Sequence, residues 1–119
     1  MKYVYYGNYA AYFEAARAEA FRDIGLSYKE LEDMGLFMPV LSFEIKYFKP
    51  AFYDEVLTIK TFINELPKTR LKFDYETYNG KDEFLNVGST VHAFVSAETM
   101  RPCAAPDWFV ESVKTKFKI

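Results

Sequence analysis

Six alanines stand between positions 10 and 20, and a little further on the apolar pattern of the chain changes from helical to alternating. A slim helix followed by long strands admits few packings, because the apolar face of the sheet must lie close on the helix or curl around it. Over residues 8–24 the apolar positions Tyr9, Phe13, Ala16, Ala20 and Ile24 recur at three- or four-residue steps, with Tyr12 beside them, which predicts one amphipathic helix. Asn8 is placed to cap it. Gly25 is placed to stop it, since glycine accepts the left-handed conformation at a helix end. Ser27 followed by Glu30 reads as a capping box for a short second helix over 27–34, closed by Gly35.

From Phe37 the side chains alternate. Phe37, Pro39, Leu41, Phe43, Ile45 and Tyr47 share one parity, which predicts a single long half-buried strand ended by Pro50. Leu57, Ile59 and Ile63 mark a second strand. Leu71, Phe73 and Tyr75 alternate with Arg70, Lys72, Asp74 and Glu76 in a third, and Asn79-Gly80 is a hairpin signal. In the fourth, Leu85, Val87, Val91, Ala93 and Val95 form one face and Asn86, Thr90, His92 and Phe94 the other. The Val-rich face is expected inward, leaving His92 on an outer surface or a subunit contact. Residues 107–118 read as a terminal turn or short helix anchored by Trp108, Phe109 and Val113. The result is a single α+β domain over residues 1–119, with a curved, mostly antiparallel sheet around one long helix.

Composition narrows the partners. With a formal net charge of −2 and a pI near 5.4, the chain lacks the basic surface of a sequence-independent nucleic-acid binder. Ten Tyr and twelve Phe exceed what one small core needs, so part of this aromatic surface is expected in a subunit interface. One Cys cannot form an internal disulfide, and no apolar run reaches a membrane-spanning length, so a cytoplasmic protein without membrane insertion is expected. His92 is the only histidine and no Cys or carboxylate cluster accompanies it, so no metal is expected.

The order of motifs carries more. Val4-Tyr5-Tyr6-Gly7-Asn8-Tyr9, with Glu14 and Arg17 on the helix behind it, resembles the helix-start motif of hotdog acyl-CoA thioesterases of the 4-hydroxybenzoyl-CoA thioesterase and Tol-Pal-associated type. Met38-Pro39-Val40, Tyr47-Phe48-Lys49-Pro50-Ala51 and Arg101-Pro102 ahead of Pro106 resemble further motifs of that family, in the right order over residues 2–108. The resemblance implies a hotdog fold that hydrolyses an acyl-CoA thioester to a free acid and CoA, with no cofactor beyond the CoA of the substrate. It also implies a homodimer, or a tetramer of two such dimers, with its active site at the subunit interface. In the family a catalytic Asp stands upstream of the position that Tyr6 matches, at a point ahead of Met1, and so does a first strand. The expectation is a chain beginning inside a longer enzyme, or an acyl-thioester-binding hotdog protein that does not hydrolyse.

The resemblance assigns the backbone N–H groups of Tyr6 and Gly7 to the thioester oxygen, at the positive end of the first helix. The Tyr6 side chain is a weaker candidate, because a phenol is a poor base at neutral pH; Tyr3, Tyr5, Tyr6 and Tyr9 also read as packing for the loop against a partner. Asn8 is a candidate substrate contact. Glu14 is the internal carboxylate best placed to replace the upstream Asp, although pairing with Arg17 is its ordinary explanation. Lys68, Arg70, Lys72 and Arg101 are candidates for the CoA phosphates, against the simpler reading of solvated strand faces and a strand-end cap. Two other functions remain open: a hotdog dehydratase, which would need a His near the helix start, and a small-ligand carrier on a helix-and-sheet grip.

Overall fold

The computed structural model describes Val4 and residues 6–119. Tyr3 and Tyr5 of the opening loop lie outside the described residues. In chain order the elements are α1 (Asn8–Asp23), α2 (Tyr28–Asp33), β1 (Leu36–Phe37), β2 (Val40–Tyr47), β3 (Thr58–Phe62), β4 (Arg70–Tyr78), β5 (Phe84–Ala93), β6 (Val95–Ser96) and α3 (Asp107–Phe117). Four strands form an antiparallel sheet in the order β2-β5-β4-β3, and β1 pairs with β6 in a separate two-stranded ribbon. α1 packs on the four-stranded sheet. This is the hotdog arrangement, α+β as the sequence predicts.

Both ends of α2 and the C-terminal end of α1 follow local chemistry. Ser27 caps α2 by accepting from Glu30 N–H at 3.1 Å, and Gly25 and Gly35 take φ of +81° and +82° after the first two helices. Asn8, expected to cap α1, is instead its first helical residue. Gly7 holds the cap position, without a side-chain bond, at φ −61° and ψ −23°.

The buried residues of α1 are Tyr9, Phe13, Arg17, Ala20 and Phe21; the helical reading found Tyr9, Phe13 and Ala20 and missed Arg17 and Phe21. Phe13 stacks on Tyr75 with ring centroids 4.2 Å apart and an interplanar angle of 3°. Gly88 makes room for that stack. A methyl group there would lie 2.5 Å from the Phe13 ring and 3.1 Å from the Glu44 carbonyl oxygen. The close approach changes the expected orientation of β5: Asn86, Gly88, Thr90 and His92 are buried, and of the Val-rich face Leu85 and Ala93 are buried while Val87 and Val91 are only half buried. His92 is therefore a core residue, 1% exposed, and not an outer-surface one.

Three further expectations change. The predicted long strand from Phe37 to Tyr47 splits into β1 and β2, with a register shift between Val40 and Ser42. β2 is a sheet edge, and Val40, Leu41, Phe43 and Tyr47 are each at least 40% exposed, so the strand is not half buried within one chain. At Asn79-Gly80 the loop runs on to Glu83, with Asn79 Oδ1 accepting from the N–H groups of Lys81 and Glu83; the left-handed residue is Asp82, not Gly80. In α3, Phe109 and Val113 are the buried anchors and Trp108 is exposed.

Candidate active site

Tyr6 and Gly7 form a turn that leads into α1, closed by the Tyr9 N–H donating to the Tyr6 carbonyl at 3.2 Å. The first N–H groups of a helix have no acceptor within it, so they are available to an oxygen bound there. This helix start is set against the far end of β2. Tyr9 meets the Tyr47 ring at 5.7 Å, and the Val4 N–H donates to the Ala51 carbonyl at 2.8 Å. Between the two lies a cavity of about 620 Å³, its wall formed by Tyr6, Tyr9, Tyr47, Phe48, Lys49 and Pro50. An apolar cleft with a few donors at one end is what a hydrophobic acyl thioester requires.

No carboxylate lines this cavity among the described residues. The one cation lining it among the described residues is Lys49, which sequence reasoning placed in a motif but not in the site. Lys49 Nζ pairs with Glu83 Oε2 at 2.8 Å, and that contact holds the Glu83 carboxyl below its usual range.

The other predicted residues lie elsewhere. Glu14 is exposed, two helical turns from the start of α1, and lines a different cavity beside Arg17 and Tyr28. It does not pair with Arg17. Arg70 registers with Ala93 at one end of the sheet, whereas Tyr47 registers with Asn86 and through it with Thr77. Seven residues of β4 separate those positions, about 24 Å of strand. Lys68 and Arg70 are exposed at that distant end, and Lys72 reaches Asp74 at 3.8 Å. Arg101 is exposed, its N–H bonded to Thr99 Oγ1 and its carbonyl to the Ser96 N–H. Within one protomer, none of these four cations lines the cavity at the helix start.

Behind the aromatic stack runs a buried polar chain that periodicity did not reveal. Arg17 Nη1 donates to the Tyr75 hydroxyl at 3.0 Å, that hydroxyl lies 2.7 Å from Thr90 Oγ1, Thr90 lies 2.9 Å from His92 Nε2, and His92 Nδ1 lies 3.3 Å from the Met38 carbonyl oxygen. A guanidinium only donates and a carbonyl only accepts, so every proton in a neutral chain is assigned: Arg17 to Tyr75, Tyr75 to Thr90, Thr90 to His92 Nε2, and Nδ1–H to Met38. Burial pushes the His92 imidazole down to about 4, with the Met38 bond opposing the shift, so the ring is neutral at pH 7. Burial likewise raises the Tyr75 and Tyr28 phenols, which keeps both neutral beside Arg17. A His with a low pKa inside the core is not the exposed acid that a dehydratase site would need.

A second buried polar group sits under Tyr9. Asn86 and Thr77 are fully buried and cross-strand neighbours, yet neither side chain makes a hydrogen bond of good geometry among the described residues. Burial raises the Tyr9 phenol, and the Asn86 side chain opposes the shift.

The chain is similar to several known proteins. Residues 1–85 match the family model described as the thioesterase superfamily. YneP of Bacillus subtilis, which is named for an acyl-CoA thioesterase activity, is 30% identical over 120 aligned residues, spanning 98% of this chain and 87% of the relative. The acyl-CoA thioester hydrolase YbgC of Escherichia coli is 30% identical over 115 residues, spanning 97% and 83%. Among solved structures, the DHNA-CoA thioesterase of Staphylococcus aureus superposes with a TM-score of 0.87 at 32% identity, spanning 98% of this chain and 80% of that one.

Proposed function

The chain belongs to the thioesterase superfamily, and from that premise we infer that it is an acyl-CoA thioester hydrolase. The observation that carries the reading is the helix start at Tyr6-Gly7 opening into an apolar cavity. An acyl group lies in the cavity, and the thioester oxygen takes the N–H groups of Tyr6 and Gly7 as it gains charge. Water then displaces the CoA thiolate: the carbon–sulfur bond breaks, a carbon–oxygen bond forms, and the products are a carboxylic acid and CoA. No cofactor takes part, since CoA is a portion of the substrate. Lys49, at the wall of the cavity, is the cation placed to meet the CoA end. The motif set supports the 4-hydroxybenzoyl-CoA and Tol-Pal-associated branch in particular.

The working unit is a homodimer. β2 is an edge strand with unpaired backbone groups and four exposed apolar side chains, a surface that invites pairing unless another strand covers it. A two-fold axis pairs β2 with its own copy in antiparallel register and makes one continuous sheet. The exposed aromatic groups at Phe48 and Phe84, whose rings meet at 5.3 Å, offer a further contact for a tetramer. No helix among the described residues is long and apolar enough to cross a membrane, and the single Cys103 suits a reducing cytoplasm.

Free-thiol release from short, long and aromatic acyl-CoA thioesters tests the reading, and failure with all three classes sinks it. The cavity's lack of a carboxylate among the described residues favours one second reading, binding without hydrolysis. Tight acyl-CoA binding without thiol release would select that reading.

A further inference from the structure

The cavity at the other end of α1 contains a feature that the reaction chemistry has not used. Arg17 is 7% exposed, and among the described residues two of its five N–H groups are bonded, to Tyr28 Oη at 3.2 Å and Tyr75 Oη at 3.0 Å. Both acceptors are neutral phenols, and no carboxylate lies within salt-bridge distance among the described residues. A buried guanidinium with donors to spare is costly unless something accepts from it. Its surroundings are a cavity of about 600 Å³ with a polar floor of Arg17, Tyr28 and His92 and apolar walls from Met38, Val40 and Val95. That is the shape of a site for an apolar chain ending in a hydrogen-bond acceptor.

Within one protomer this cavity is remote from the thioester site. Arg17 is ten residues beyond Gly7, about 15 Å along the helix, and the Phe13–Tyr75 stack, with Phe43 5.7 Å from Phe13, fills the space between. Pairing about a two-fold axis changes the neighbour. α1 runs antiparallel to β2, with Tyr9 beside Tyr47, Phe13 beside Phe43, and Arg17 in the cavity that Val40 lines. When two β2 strands pair antiparallel, the Tyr47 end of one lies beside the Val40 end of the other. The helix start of one protomer then faces the Arg17 cavity of its partner.

We propose that the Arg17 cavity receives the far end of the acyl group, and that it selects acyl chains ending in a neutral oxygen acceptor, a hydroxyl or a ketone. The proposal rests on the hydrolase and dimer readings above. Glu14 and Glu32 decide against an acid as the ligand: both are exposed at the rim of the cavity and repel a second carboxylate. A neutral acceptor completes the donor set without adding charge beside them.

The test uses non-hydrolysable CoA thioethers in a ladder of chain lengths, each made with a methyl, a hydroxyl and a carboxylate end, titrated calorimetrically against the whole protein. At the length that spans the interface, the hydroxyl end binds about tenfold more tightly than the methyl end, and the carboxylate end binds more weakly than the hydroxyl. Arg17→Gln brings the hydroxyl-to-methyl ratio close to one at that length. Equal affinities of the hydroxyl and methyl ends at every length in the parent protein overturn the proposal, whether or not Arg17→Gln folds, and so does strongest binding by the carboxylate end. The hydrolase reading fails separately. Thioesters with the same ends that bind with the predicted preference but release no thiol would remove the hydrolase and leave the cavity assignment standing.

Discussion

Gly7→Pro would delete one N–H from the helix start and alter little else. Gly7 sits at φ −61°, inside the range that the proline ring imposes, and occupies the second position of the turn closed by the Tyr9-to-Tyr6 bond. Proline is favoured at that position of a type I turn. The deleted N–H has no acceptor in α1, so the helix loses no bond. If that group holds the thioester oxygen as it becomes an oxyanion, its loss lowers kcat by about 10²–10³-fold, equivalent to about 3–4 kcal/mol of transition-state stabilisation. KM changes little, because the bond strengthens only as charge develops. Gly7→Ala keeps the N–H at a φ that alanine accepts, and retains kcat within about threefold. The assay is thiol release at saturating acyl-CoA, with thermal unfolding of all three proteins to show that the fold is kept. A folded Gly7→Pro enzyme with kcat within about threefold of the parent refutes the assignment, as does an equal loss in Gly7→Ala.

Four other outcomes follow from particular contacts. His92 is held down to about 4 against an ordinary value of 6.5, so the unfolded chain binds the extra proton first as pH falls. Stability is full above pH 6.5 and declines towards pH 4, by an order of about 3 kcal/mol, and His92→Gln flattens that part of a urea-unfolding pH profile; parallel profiles for the two proteins would contradict the buried neutral ring. Gly88→Ala drives a methyl group to 2.5 Å from the Phe13 ring and costs about 1–3 kcal/mol, measured by thermal unfolding, whereas no loss would mean that the stack yields easily. Thr77→Val replaces a buried hydroxyl that has no partner among the described residues and raises stability by about 1 kcal/mol; destabilisation would show that the hydroxyl is satisfied. Leu41→Lys puts a charge on the exposed β2 edge, and sedimentation should then find monomer with thiol release lost, while an intact dimer would place the interface elsewhere.

Much of the architecture is local in origin and was legible residue by residue. Ser27 and Glu30 announce α2 because the cap is a bond between near neighbours, and Gly25 and Gly35 end helices because only they adopt positive φ freely. The alternation of β4 is equally plain, since Leu71, Phe73 and Tyr75 are buried while their neighbours are charged. The start of α1 falls in the same class to within one residue, at Gly7 where Asn8 was the expected cap.

Tertiary contacts decided the rest. Hydropathy assigns the Val-rich side of β5 to the core, yet Gly88 lets Phe13 sit against the opposite side, and the close stack on Tyr75 turns Thr90 and His92 inward. Arg17 looks like a surface partner for Glu14, but it is buried and donates instead to phenols from α2 and β4, eleven and fifty-eight residues away. β2 has the alternation of a half-buried strand and is an exposed edge among the described residues, because no other element of the fold covers that edge there. Alternation and spacing report which side chains share a face. Which face turns inward, and what lies opposite it, depends on volume and hydrogen-bond partners brought together from distant parts of the chain, and only the folded structure contains that information.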